Sequence, residues 1–334
     1  MNQTPAPLTR RQSLLALATT VATAAGLVPT AAWSQVRFPD KPISLLVPFG
    51  PGGIADLTAR AVAEHMSKSL GQAVVVENKP SAGSIVASQA VATAKPDGHT
   101  LLLMSNGNAV SVGLFKKLPF DAQKDFAPIT TLGYFDIGLF VAAHSKFATL
   151  KDALAYARAN PGKLNVGTIA PGSTQHLSAK LFETVAGVDV LVVPYKGSPG
   201  VLTALRAGEI DIAFEIVGPM VPQVTSGVIK ALAVSSDKRN PALPDVPTVM
   251  QAGVPGYNVA SWNALAAPAG TPPEVLDKLG RAVREAVASP EVQARLGKLG
   301  MRLQGSTAAE LQALLGSEIK RWDAVIRAAK IEPE

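Results

Sequence analysis

The sequence predicts an α/β protein of two lobes with a cleft between them, and three observations carry that prediction. From residue 41 onward, short β-branched runs alternate with longer amphipathic ones, the rhythm of parallel strands joined by helices. The rhythm comes as two successive sets rather than one. Several strand-like runs end in Gly, Ser or Asn turns that open helix-like runs, at the sheet edge where α/β proteins hold ligands.

In the first set, 43–47 reads as a buried strand and 55–70 as a helix stopped by Gly71. A strand at 73–77, a helix at 85–94 and a strand at 100–104 follow, the last after the Pro96-Asp97-Gly98 turn. Together they argue for a largely parallel sheet with helices on both faces. The second set starts with a strand at 138–142 and a helix at 150–160 that Pro161-Gly162 ends. It continues with strands at 164–168, 190–194, 210–214 and 229–235, and with helices at 174–186 and 199–207. A proline-rich stretch, 241–247, interrupts the sheet, and 260–267 resumes it. Three helices finish the chain. The first has Thr271 as expected N-cap, Pro272 at N1 and Glu274 placed for a capping box. The last opens with Thr307-x-x-Glu310 and carries Leu311, Leu314, Leu315, Ile319, Trp322, Val325 and Ile326 on one stripe, which makes Trp322 a core residue. The expected division is residues 1–34 as a leader, 35–135 with 236–334 as one lobe, and 136–235 as the other.

The leader reading rests on Arg10-Arg11, on an uncharged small and apolar run from Leu14 to Val28, and on small residues at Ala32 and Ser34. Gln35 would then begin the mature chain. A membrane anchor fits less well, because the run is rich in Ala and Thr and broken by Gly26 and Pro29. With no cysteine, the chain has neither disulfides, nor a thiolate nucleophile, nor a lipid-attachment site. A cysteine-free exported protein points to a bacterial periplasm, a compartment without ready ATP. The +6 formal charge is spread in pairs such as Lys116-Lys117 and Lys320-Arg321, and only 5% of residues are aromatic, so no nucleic-acid surface is expected.

Four turns carry the candidate chemistry. Gly50-Pro51-Gly52-Gly53-Ile54-Ala55-Asp56 lacks the Gly-Lys-Ser/Thr ending of a phosphate loop and the G-x-G-x-x-G spacing of a dinucleotide fold. It remains a turn that delivers free backbone N–H groups at a helix start, suited to a carboxylate. Asp56 is expected to cap N–H groups and set the loop shape. The second set repeats the logic in Gly167-Thr-Ile-Ala170-Pro-Gly172-Ser173-Thr174-Gln-His176, where hydroxyls join the backbone donors. Ser173 or Thr174 equally suits a plain helix cap, and His176 an orienting role. Ser105, Asn106 and Asn108 form a neutral polar turn after a strand, and Glu215 stands at a strand end, placed to receive a hydroxyl or amine. Catalytic patterns are thin. The four histidines are more than thirty residues apart with no H-x-x-x-H pair, so no metal or cofactor is expected. Ser173 sits in G-S-T-Q-H, not G-x-S-x-G. No pair of carboxylates is poised for acid–base work, and an enzyme acting on a carboxylated substrate is the rival reading.

From Phe38 onward the chain resembles the Bug-type solute receptors, the periplasmic binding components of tripartite tricarboxylate transporters. The resemblance rests on FPDKPISLLVPFGPGGIADLTAR (38–60), VVENKPSAG (75–83), KPDGHTLL (95–102), LPFDAQKDFAPIT (118–130), PGSTQHLSAKLF (171–182), VPYKG (193–197), GEIDIAF (208–214), LPDVPTVMQAGVPGY (243–257) and APAGTPPEVLDKL (267–279). It implies a type II periplasmic binding fold whose lobes close on one ligand carboxylate, gripped partly through bridging waters. The matching positions are Phe49 with Gly52, Gly53, Ile54, Ala55 and Asp56, and Ala170, Gly172, Ser173, Thr174 and His176. Ser81 and Ser84 stand where the family usually has glycines, and Gly50 where proline is common. The implied protein is a monomeric receptor for a di- or tricarboxylate or an aromatic acid. Its implied partner is a two-subunit membrane permease, with a sensor kinase as a further possible partner.

Overall fold

The computed structural model describes residues 38–169, 171, 173–195 and 197–333. The expected leader therefore lies outside the described residues, as do Ala170 and Gly172.

The chain enters on strand β1 (Ile43–Val47), turns through the glycine loop into helix α1 (Ile54–Leu70), and returns as β2 (Val74–Asn78). Helix α2 (Ile85–Ala92), β3 (Thr100–Ser105) and α3 (Asn106–Leu114) follow. Strands β2 and β3 both pair parallel to β1, which makes this end of the sheet parallel as expected. At the other end β5 (Asn165–Ile169) lies parallel to both β6 (Leu191–Tyr195) and β7 (Ile212–Ile216). The middle differs from the expectation. There β4 (Phe126–Ala142) and β9 (Ala260–Pro268) pair antiparallel to each other and to their neighbours, so the whole sheet is mixed. The physical reason is chain routing: β4 leaves the first half of the molecule and β9 returns to it, so they run in opposite directions.

The 17-residue β4 is the element that joins the halves. Its first part, Phe126 to Asp136, pairs with β9. From Ile137 onward it pairs with β7, and from Gly138 with β8 (Ile229–Val234). Short β10 (Met301–Leu303) lies against Phe135, Tyr134 and Gly133. Gly133 has φ +152, and a Cβ there would stand 2.5 Å from the Arg302 carbonyl oxygen, so only glycine fits beneath β10. The sequence reading began this strand at 138 and missed the stretch before it.

Helices α4 (Leu150–Ala159), α5 (Thr174–Ala186), α6 (Ser198–Ala207) and α7 (Val217–Thr225) serve the second half. Helices α8 (Pro273–Ala288), α9 (Pro290–Gly297) and α10 (Ala308–Ala328) close the chain. Helix α10 is capped as its sequence predicts: Thr307 Oγ1 accepts the Glu310 N–H at 3.1 Å, and Glu310 accepts the Thr307 N–H at 2.8 Å. The Thr271 expectation fails. Pro272 is the N-cap of α8, and the Thr271 hydroxyl donates back to the Pro268 carbonyl instead. Leu311, Leu315, Trp322, Val325 and Ile326 are buried in the main core, which also takes in Phe182 and Tyr257. A second cluster, which includes Phe140, Val201, Val217, Met220 and Val234, packs α6 and α7 onto the sheet of the second half. No helix among the described residues is long and apolar enough to cross a membrane.

Candidate ligand-binding cleft

The first loop is held from below by one carboxylate. Asp56 Oδ2 accepts the Gly52 N–H at 2.9 Å, and Asp56 pairs with the Arg60 guanidinium at 2.9 Å. Asn78 Nδ2 donates to Asp56 Oδ1 and to the Phe49 carbonyl, both at 2.9 Å. Burial alone would raise the Asp56 carboxyl, but the bonds from Arg60, Gly52 and Asn78 outweigh it and hold its pKa below the usual range. Gly52 adopts φ +82, the left-handed turn that brings its N–H round to Asp56.

Asp56 caps the loop and sets its shape, as its sequence predicts. The Gly52 N–H is engaged by Asp56, and the Asp56 carboxylate by Gly52, Asn78 and Arg60. What the loop presents is its next turn. Gly53 is the N-cap of α1 and has no side chain to cap with. The first-turn N–H groups of Ile54 and Ala55 have no intrahelical partner, and the positive end of the helix dipole adds to them.

The second junction is built differently. Ser173 is the N-cap of α5, and its hydroxyl accepts the His176 N–H at 3.1 Å, so this serine plays the capping role. Thr174 reaches across instead: its hydroxyl lies 3.3 Å from both Asn106 Nδ2 and Ser261 Oγ. His176 is held neutral, its pKa lowered to about 4 by burial and by nearby Lys180.

Asn106 joins the halves. Its Nδ2 donates to Thr174, and its Oδ1 accepts the Trp322 indole N–H at 2.8 Å, an N–H that Glu318 shares at the same distance. Trp322 is a core residue, as its stripe implies, and also the residue that aims Asn106. Ser105, Asn106 and Asn108 do not form an open turn. Ser105 caps α3 directly, accepting the Gly107 N–H, while Asn108 Oδ1 accepts the Ser105 N–H at 2.9 Å. Asn108 Nδ2 goes to Ser88 on α2 at 2.7 Å, so one end of this amide serves the cap and the other ties it to α2. A Cβ on Gly107 would stand 2.9 Å from the Ser84 hydroxyl and 3.9 Å from the Phe49 ring, so these three pack together. Phe49 is exposed there. Ser84, which sequence reasoning did not place in the site, has φ +61, strained for any residue but glycine. Its replacement of a family glycine was the available signal.

Glu215 lies near the end of β7, buried, with Ser198 Oγ donating to its Oε2 at 2.8 Å and the Ile216 N–H to the same oxygen at 3.3 Å. Burial pushes its carboxyl up to about 7 against those bonds and the nearby Gln175 side chain. Ser198 and Gln175 were also missed; each stands in the first turn of a helix, α6 and α5, where nothing in the sequence separates them from ordinary helix residues.

Two α/β halves share one strand, and helix starts from each face the line where they meet; this is the two-lobed type II periplasmic binding fold, with its ligand cleft between the lobes. The comparisons agree. The chain is 34% identical to the Rhodopseudomonas palustris protein Rpa4515 solved with adipate, at a TM-score of 0.81 over 89% of this chain and 100% of that one. It is 35% identical to MatC of the same organism solved with bound malate, at 0.77 over 86% and 100%. BugT of Bordetella pertussis is 33% identical over 88% of this chain and 91% of its own length. Residues 58–331 match the family described as the tripartite tricarboxylate transporter family receptor, and the chain belongs to that family.

Proposed function

We propose that this chain captures a small organic carboxylate in the periplasm and hands it to a two-subunit membrane permease. The observation that carries the reading is the pairing of two helix starts across the cleft, α1 with an uncapped glycine end and α5 with Thr174 bonded to Asn106. Backbone N–H groups at such ends replace the water of an anion without a formal cation. Relatives solved with adipate and malate support a dicarboxylate as the ligand class. The Arg10-Arg11 leader supports export. The change of β4 partners between Asp136 and Ile137 supports a lobe division at 135/136, with the return at 235/236.

The role is binding and release. Open lobes admit the acid, and closure brings Gly53, Ile54 and Ala55 from one side and Thr174 from the other onto one carboxylate. Closure follows from the acid's higher affinity for the closed arrangement. Thermal denaturation of the purified protein against a panel of mono-, di- and tricarboxylates tests this. A dicarboxylate such as adipate or malate is expected to raise the midpoint by several degrees at about a hundredfold excess over its dissociation constant. Stabilisation by neutral sugars or nucleotides, with none by acids, would overturn it.

A further inference from the structure

Glu215 is an odd occupant for a site that takes anions. It sits where three parallel strands end and three helices begin: α5 after β5, α6 after β6 and α7 after β7. Its register partner on β4 is Gly138, next to the point where the strand changes partners. Its side chain is 1% exposed, and its two oxygens are unequal. Oε2 accepts from Ser198 and from the Ile216 N–H, whereas Oε1 is wholly buried with no partner at hydrogen-bond geometry, the Gln175 side chain acting on the carboxyl from beyond that range. A carboxylate would leave a buried anionic oxygen unpaired, which is costly. A carboxylic acid would use Oε2 as its carbonyl and leave one O–H on Oε1 in search of an acceptor.

We propose, resting on the carboxylate-receptor reading above, that Glu215 binds as a neutral acid whose Oε1–H donates to a carboxylate oxygen of the ligand, so that the receptor takes its acid together with this proton. The chemistry is that of a short acid–carboxylate hydrogen bond, stronger than a neutral one because its acceptor is charged. The raised pKa of about 7 agrees with it. The sign follows directly. Below about 7 the donor is present and binding is full; as pH rises through 7 the proton leaves, and a carboxylate faces the ligand's own charge.

The surrounding charges do not supply an alternative titration. Helix α5 brings His176, already neutral, and the Lys180–Glu183 ion pair; β4 brings Asp136; α6 brings Arg206 at its far end. Helix α7 and strand β5 carry no charged residue, Tyr195 ends β6, and Lys196 lies outside the described residues. The described charges are not among the causes of the Glu215 shift, which are burial against the bonds of Ser198 and Ile216 and the influence of the Gln175 side chain.

The test is calorimetric titration of adipate into wild type and Glu215→Gln, at about pH 6 and about pH 8.5. Wild type is expected to lose about tenfold or more in affinity between the two, while Glu215→Gln, whose amide still donates, binds within about twofold at both. A flat wild-type profile, or a Glu215→Gln variant that fails at both pH values while wild type binds, would overturn the proposal. If wild type ignores adipate throughout, the receptor reading fails for that acid, and infrared spectroscopy of the ligand-free protein decides this one. A protonated-carboxyl band at the acid pH that Glu215→Gln removes upholds the neutral acid; its absence from wild type refutes it.

Discussion

Gly53 shows how a residue without a side chain directs an anion. It sits at the N-cap with φ −79 and ψ 170, an extended conformation any residue adopts, and a Cβ there would meet only the Gly50 carbonyl at 3.9 Å. Nothing steric therefore demands glycine. An aspartate would in fact make a better cap, because its carboxylate would bond the first-turn N–H groups. It would also occupy the donors an incoming acid needs. Gly53→Asp is thus expected to leave the thermal midpoint unchanged or slightly raised, while weakening adipate binding by about tenfold or more. Unchanged affinity by calorimetry would remove this loop from the site. Asp56, three residues on, is acidic without the same effect, because Arg60, Asn78 and Gly52 already consume it.

Helices α3 and α7 were invisible to pattern reading, and for different reasons. Residues 106–114, NGNAVSVGL, mix two glycines with β-branched residues, a poor helix by propensity. What holds them is the Ser105/Asn108 box and burial of Ala109, Val110 and Leu114 in the core. Helix α7 contains Pro222, which reads as a breaker. By contrast α1, with a regular apolar stripe and clear ends, matched its expected span to within a residue, and α10 starts where its Thr307/Glu310 box predicts. The turns were found because glycine and hydroxyl residues between a strand and a helix leave a local signature. Their partners were not, since Asn106 meets Thr174 from 68 residues away and Trp322 from 216. Helix α7 also carries a tight backbone contact: a Cβ on Gly218 would stand 1.8 Å from the Leu299 carbonyl oxygen. Gly218→Ala is expected to cost about 2 kcal/mol in urea denaturation, because backbone on both sides must move. An unchanged midpoint would mean that α7 does not hold this position in solution.

Across the molecule, the two halves are tied by β4 and by the return through Ser235, whose N–H bonds Ile137 and whose carbonyl bonds Val259. Beside this junction Asp136 is buried between Asn240, at 2.8 Å, and Arg302, at 3.1 Å. A hinge there has a bonded ladder on either side, so the halves are expected to rotate as intact bodies. Tyr257 donates to the Ser178 carbonyl and Thr174 meets Ser261 across the same division, and the Asn106–Thr174 contact is one of the polar links that such rotation would make or break.

That link ends on a chromophore. The indole of Trp322 shares its N–H between Asn106 and Glu318, so any pull on Asn106 alters the field on the ring. The receptor thereby carries its own optical gauge, set in the core yet one amide away from the opposite lobe. With Trp262→Phe in a chain beginning at Gln35, Trp322 is the sole tryptophan. Its emission maximum is expected to shift when adipate is added, and a silent spectrum alongside calorimetric binding would show that the acid is taken up without moving Asn106.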